Sequence, residues 1–259
     1  MTQGSPSLVV ALLAVVVAAV TTASAMMTTS SSCPYAMVLL PNQTATICMD
    51  ITESAVEYEP VAGSGAWIVY PFNYPPSDLM TNGTAFRAVP PAAGTRPQGY
   101  ISQAAASQAC TSAGKRLCSS AEYDLGCRGT ANSIYPYGNT FQPGYCNTGQ
   151  ASPVTRLFPH PKWTEHEMND PRLDLLSNTL APSASFGNCT NPETGTYDQA
   201  GNLDEWVSDI IPTNGHGIFR GGYFVDDVIN GAGCTYKTVA HAPTYHDYSL
   251  GFRCCKDVS

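Results

Sequence analysis

Ten cysteines, at positions 33, 48, 110, 118, 127, 146, 189, 234, 254 and 255, constrain this chain more than any other feature. An even number with no close pair of C-x-x-C motifs points to disulfides rather than zinc. The residues ahead of the first cysteine agree. The first 25 carry no charged side chain, Ser7 to Val20 is a run rich in Leu, Val and Ala, and Ala23-Ser24-Ala25 has the small-x-small pattern of a cleavage site. Residues 1–25 therefore read as a secretory signal peptide. The apolar run is too short to span a bilayer, and no second one follows. Residues 26–32 read as a Met/Thr/Ser linker and 33–257 as one domain, exported through the secretory pathway with no membrane span in the mature chain.

Charge excludes one class of partner. A net charge of −8 with only 12 Lys and Arg lacks the basic footprint that nucleic acid requires. With 12% charged residues, 22 glycines and 20 prolines, the chain is loop-rich with little exposed charged helix. The sequons at Asn42, Asn82 and Asn188 are expected glycan acceptors in a eukaryotic host.

Along the chain, Met37–Leu40 and Thr46–Ile51 read as strands, with Cys33 and Cys48 placed to staple the hairpin. Thr52 or Ser54 is positioned to cap a short helix over residues 55–58, ended by Pro60. Residues 60–99 read as loops around Trp67–Tyr70. Two helices are clearer. Ser102 caps Gln103–Ala113, closed by Gly114, and Ser119 with Glu122 forms a capping box that opens a helix to Cys127. Tyr135–Asn139 is a turn. Residues 140–195 show little periodicity beyond a helical turn near Pro171–Leu176.

The last forty residues hold the candidate site. Arg220-Gly221-Gly222 and Gly251-Phe252-Arg253 bracket a polar loop with acids, histidines and tyrosines, and a loop so firmly bounded is a place for function. Tyr223, Asp226, Asp227, His241, Tyr245, His246 and Asp247 are its candidate binding residues. His241, His246 and Asp247 are also possible ligands of a first-row metal, since imidazole and carboxylate suit iron, manganese or zinc.

Several islands fall in a familiar order. They are Met37–Pro41, Cys48-Met-Asp50, Gly114-Lys115-Arg116-Leu117-Cys118, Gly126-Cys127-Arg128-Gly129, Tyr135–Asn139, Gly195–Asp209, Arg220-Gly221-Gly222 and Gly251-Phe252-Arg253-Cys254. Together they resemble the formylglycine-generating enzyme, or sulfatase-modifying-factor, family over residues 33–257. The resemblance implies an α+β, formylglycine-generating-enzyme-like (C-type-lectin-like) single domain, disulfide-rich and low in regular secondary structure. It implies the bonds Cys110–Cys254 and Cys127–Cys234. The remaining cysteines lie outside the family pattern and are paired here as Cys33–Cys48, Cys146–Cys189 and Cys118–Cys255.

The resemblance also implies calcium, held by the carboxylates of Asp198 and Glu205 and the carbonyls of Gly201 and Leu203. The chemistry is sensible, because a Gly-Asn turn between two acids converges hard oxygens. Asn147 and Thr148 stand where a second family calcium site begins, without matches to its later ligands in residues 150–190. The family's oxidases bind Cu(I) on two cysteines soon after the segment aligned with Gly221-Gly222. Between Gly222 and Cys234 this chain has none, so copper is not expected. Two function classes remain: a ligand-binding or interaction domain using the C-terminal loop, or an oxidase-like enzyme with an altered, metal-dependent centre.

Overall fold

The structure, a computed structural model, describes residues 1–2, 33–41 and 46–258. The expected signal peptide, the linker and the sequon at Asn42 lie outside, or almost wholly outside, the described residues.

In chain order the elements are β1 (Met37–Leu39), β2 (Thr46–Asp50), β3 (Ala55–Tyr58), β4 (Ile68–Val69), α1 (Ser77–Asn82), β5 (Phe86–Val89), α2 (Gln103–Ser112), β6 (Arg116–Leu117) and α3 (Ser120–Arg128). Then come α4 (Pro153–Leu157), α5 (Glu165–Met168), β7 (Asp204–Ile210), β8 (Gly217–Arg220), β9 (Lys237–Thr238), β10 (Leu250–Phe252) and β11 (Cys254–Val258). Three small sheets result, in the orders β1-β2-β11-β6, β10-β7-β8-β9 and β4-β3-β5. The strands are short and the connections long, as the glycine and proline content requires.

Both expected helices form, and for local reasons. The Ser102 hydroxyl accepts from the Ala105 N–H, and Gly114 takes φ +68° just past the helix end. Residues Ala105, Ala106, Ala109 and Cys110 are fully buried against Trp206, Phe219 and Phe252. Small side chains let α2 lie close to the sheet that carries the C-terminal loop.

At α3, Ser119 and Glu122 close the capping box, and Glu122 also takes both Arg116 Nη atoms at 2.8 and 2.6 Å. Burial alone would raise the Glu122 pKa, but Arg116 and the Ser119 N–H outweigh it and hold it below the ordinary 4.5. Its stabilisation is therefore present above pH 4.5 and lost as pH falls through the lowered value. Glu122→Gln is expected to cost about 1–2 kcal/mol at pH 7 by urea unfolding, converging on the parent as pH falls through the carboxyl's lowered value. A pH-independent difference would show that packing, not the ionised carboxylate, stabilises this end.

Three expectations are corrected. Residues 55–58 are strand β3, not a helix: Val56 and Tyr58 favour a pleated surface, and β3 pairs with β5 from Ala55↔Val89 to Tyr58↔Phe86. The stretch 60–99 is not all loop, for it contains β4, α1 and β5, with α1 ended by Gly83 at φ +74°. Within 140–195, α4 and α5 appear beside the expected turn, which is a 3-10 turn over Leu173–Leu175. These helices are four or five residues long, too short to show a period. Each begins on a local signal, Pro153 in the first turn of α4 and a Thr164–Glu167 capping box on α5.

Candidate functional site

The C-terminal loop leaves from β8 and returns through β10, and both strands pair with β7. β8 runs antiparallel to it from Glu205↔Arg220, and β10 parallel to it from Leu250↔Asp204 to Phe252↔Trp206. The two ends of the loop are thus held a strand-width either side of one buried strand.

Covalent bonds add to this. Cys110 of α2 is bonded to Cys254 of β11, Cys127 of α3 to Cys234 inside the loop, and Cys118 to Cys255. Cys33–Cys48 and Cys146–Cys189 complete five bonds that use all ten cysteines, and no free thiol is found among the described residues.

The loop starts from a buried arginine. Arg220, 4% exposed, binds Asp124 through Nη2 at 2.6 Å and donates to the Tyr236 and Cys234 carbonyls, both 3.0 Å away. Gly221 follows at φ +93°, where a Cβ would strike the Tyr123 hydroxyl. That close approach is why a glycine stands there.

The candidate binding residues fall into three groups. Tyr223 and Tyr248 bring their hydroxyls to 3.4 Å, and beside them Tyr245 donates to Asp247 Oδ2 at 2.5 Å. Asp247 Oδ1 is taken by the N–H and hydroxyl of Ser249. Asp226 and Asp227 turn elsewhere, into a hollow of about 240 Å³ with Tyr135, Phe141 and Thr148. There the Thr148 hydroxyl donates to Asp227 at 2.7 Å, and burial pushes the Asp227 carboxyl up. The histidines form the third group. His241 stacks on Tyr245 at 3.9 Å and on Phe219 at 5.8 Å, while His246 Nδ1 meets Asn169 Oδ1 at 2.7 Å. Burial lowers the pKa of both. No three His, Cys, Asp or Glu side chains converge in metal-holding geometry among the described residues.

Beneath the loop lies the turn from Asp198 to Glu205. Asp198 and Asn202 take positive φ, +59° and +61°, as does Gly201 at +75°. Asn147 packs against this turn: its carbonyl accepts from the Asn202 N–H at 2.9 Å and its side chain donates to Asn202 Oδ1. Glu205 is fully buried, and both its oxygens accept from Arg253, Nε and Nη2, at 2.6 Å. Glu53, also fully buried, accepts from the Asn202 side chain at 2.7 Å and the Leu203 N–H at 3.0 Å. Asp198 takes the Ala184 N–H at 2.6 Å. Burial raises all three acids, helped by repulsion from Asp198 and Glu205 at Glu53, from Glu205 at Asp198 and from Asp50 at Glu205; Glu53 ends well above its ordinary value and Asp198 at about 6.

Sequence reasoning assigned no role to Glu53, Arg253, Asp174 or Asp204. Asp174 is wholly buried with neither oxygen hydrogen-bonded, and Asp204 has one oxygen in that state. No local signal marks Glu53, since its partners Asn202 and Leu203 lie 149 and 150 residues away.

A family model, the sulfatase-modifying factor enzyme 1-like domain, matches residues 72–258. The chain belongs to this family. One curated relative of this sulfatase-modifying-factor domain is the mouse (Mus musculus) inactive C-alpha-formylglycine-generating enzyme 2, 27% identical over 164 residues. That match covers 61% of this chain and 48% of the mouse protein, so the chain spans about half the length of the relative. Solved structures with similar folds include PvdO from Pseudomonas aeruginosa (16% identity, 87% of this chain and 99% of that one, TM-score 0.43). Another is Treponema denticola variable protein 1 (12% identity, 85% and 98%, TM-score 0.46). CarF is similar over 63% of this chain and 68% of its own at 19% identity, TM-score 0.40.

Proposed function

We propose that this sulfatase-modifying-factor domain is exported and non-catalytic, and binds a ligand through its C-terminal loop. The observation that carries the reading is the closure of all ten cysteines into disulfides. Copper chemistry of the family's kind needs two thiolates, because Cu(I) is a soft ion, and every cysteine sulfur here is already bonded to another. The mouse relative described as inactive supports the same reading. Stacked His241 and amide-bonded His246 favour binding over the rival, a metal-dependent oxidase. Tyrosines beside small polar residues suit adaptable recognition.

The test is metal and thiol analysis of purified protein. Denatured but unreduced protein is expected to show no titratable thiol and no bound copper or iron. Stoichiometric copper, or iron lost on His246→Ala, overturns the reading. Export is supported by the charge-free apolar leader and by five disulfides, which persist in oxidising compartments. A mature N-terminus near residue 26 checks it by mass spectrometry. Asn82 and Asn188 are exposed and open to glycans.

Calcium belongs to this proposal. Three buried carboxylates, Glu53, Asp198 and Glu205, share one neighbouring guanidinium, Arg253, which bonds Glu205 alone of the three, and a hard divalent cation fits that excess of acid. Asp198, Glu205 and the Gly201 and Leu203 carbonyls would hold it, with Glu205 shared with Arg253. Calcium at a hundred times its Kd is then expected to add about 2.7 kcal/mol of stability over chelator. Asp198→Asn removes that gain; equal melting with calcium and with chelator rules the site out.

A further inference from the structure

Between the β4-β3-β5 sheet and the segment after β5 lies a cavity of about 490 Å³, a volume typical of small-ligand sites. Its walls are mostly apolar, with Tyr70, Phe72, Val89 and Pro91 prominent; Thr95, whose hydroxyl donates to the Ala92 carbonyl, and the polar side chains of Arg96 and Gln98 join them.

Arg96 and Gln98 are each only partly satisfied by the protein. Arg96 is half-buried, with its guanidinium 5.3 Å from the Phe72 ring. Its Nε donates to the Leu180 carbonyl at 2.7 Å, and it makes no ion pair among the described residues. The nearby buried acid Asp174 forms no ion pair with it and has no donor to either oxygen, and burial, with repulsion from Asp247, pushes that carboxyl well above its ordinary value. Gln98 is 1% exposed. Its Nε2 faces the carbonyls of Phe72, Tyr74 and Gly99 at 3.1, 2.9 and 2.8 Å, which sets the amide's orientation. Oε1 is left buried with no donor at all. A buried acceptor without a partner is costly and calls for an explanation.

We propose that this cavity binds a small aromatic carboxylic acid that carries a hydrogen-bond donor. The ring lies among the aromatic and proline walls, the carboxylate meets Arg96, and the donor meets Gln98 Oε1. The site is built from residues 55–98, apart from the C-terminal loop, and stands whether or not that loop binds anything.

Three probes separate its parts: indole-3-acetate has ring, carboxylate and N–H; 1-naphthaleneacetate lacks the N–H; tryptamine reverses the charge. Calorimetric titration of purified protein is expected to rank them in that order, with no binding of tryptamine. Arg96→Gln is expected to weaken indole-3-acetate about 10- to 100-fold, the range of a charge-assisted contact. Val69→Trp places a large ring at a lining position that is 67% exposed, so the fold tolerates it, and it is expected to abolish binding. Thermal melts confirm that each variant is folded. Tryptamine binding as tightly as indole-3-acetate overturns the proposal, as does indole-3-acetate failing to bind the parent or binding both variants unchanged.

Discussion

Removing both disulfides that tie β11 to the helical side of the domain, Cys110–Cys254 and Cys118–Cys255, is expected to cost about 6 kcal/mol. Either one alone is expected to cost only about 2.5 kcal/mol. Taken singly, the bonds span 144 and 137 residues, for which the chain-entropy model gives about 5 kcal/mol each. They are nested, however. With Cys118–Cys255 closed, the unfolded chain already holds residue 254 within about nine residues of Cys110, so the second bond removes little further freedom. With both gone, Cys127–Cys234 still bridges the chain, and the loop that reopens is about thirty residues rather than 140. The loss of about 6 kcal/mol is comparable with the whole stability of many domains. The buried face of α2 offers little in reserve, being Ala105, Ala106, Ala109 and Cys110. Urea unfolding of the Cys→Ala pairs, singly and combined, checks this. A single-bond loss near 5 kcal/mol would show that the nested-loop account is wrong.

Arg253→Met is expected to cost about 3–5 kcal/mol at pH 8 and distinctly less at pH 5. Arg253 is 1% exposed and carries two bonds to Glu205, besides donating to the carbonyls of Asp50, Ile51 and Tyr197. Without it, Glu205 is a buried carboxylate beside two others. The pH dependence follows from the sign of the shifts. Burial first, then repulsion, holds these acids above their ordinary values, with Asp198 at about 6 against 3.8. The folded state therefore binds protons more readily than the unfolded one. Its advantage is present below the unfolded value and is lost as pH rises through the folded one. Loss of the guanidinium raises the acids further, so the defect grows with pH across 5 to 8. Unfolding free energies of parent and variant at both pH values check the trend; a defect independent of pH would mean that packing, not charge, is what Arg253 provides. Arg253→Lys keeps the charge without the two-pronged geometry and is expected to recover only part of the loss.

Much of the scaffold was legible because its signals are local. The caps at Ser102 and Ser119 sit within three residues of the N–H groups they satisfy, and Gly114 closes α2 through its own backbone freedom. Residues 55–58 were misread for the complementary reason. A Ser or Thr before Ala-Val-Glu-Tyr resembles a helix start, but four residues make no stable helix, and the partner strand that decides the matter lies about thirty residues on. The candidate site was legible as a list and not as an arrangement. Asp226 and Asp227 are grouped with Tyr245 and His246 by nearness in sequence, yet Asp227 accepts from Thr148 and Asp226 from the Tyr236 hydroxyl and the Val228 and Ile229 N–H groups.

By itself, then, the sequence determined the family, the disulfide-rich character, the two capped helices and the absence of any cysteine between Gly222 and Cys234. All of these rest on residue identity and short-range geometry. Only the tertiary structure decided which acids share a buried space. Glu53, the Asp198–Glu205 turn and Arg253 come from three separate segments, and burial makes their charges interact strongly. It alone also revealed an apolar cavity with an unpaired arginine and an unsatisfied glutamine, because whether a polar atom has a partner depends on everything packed around it.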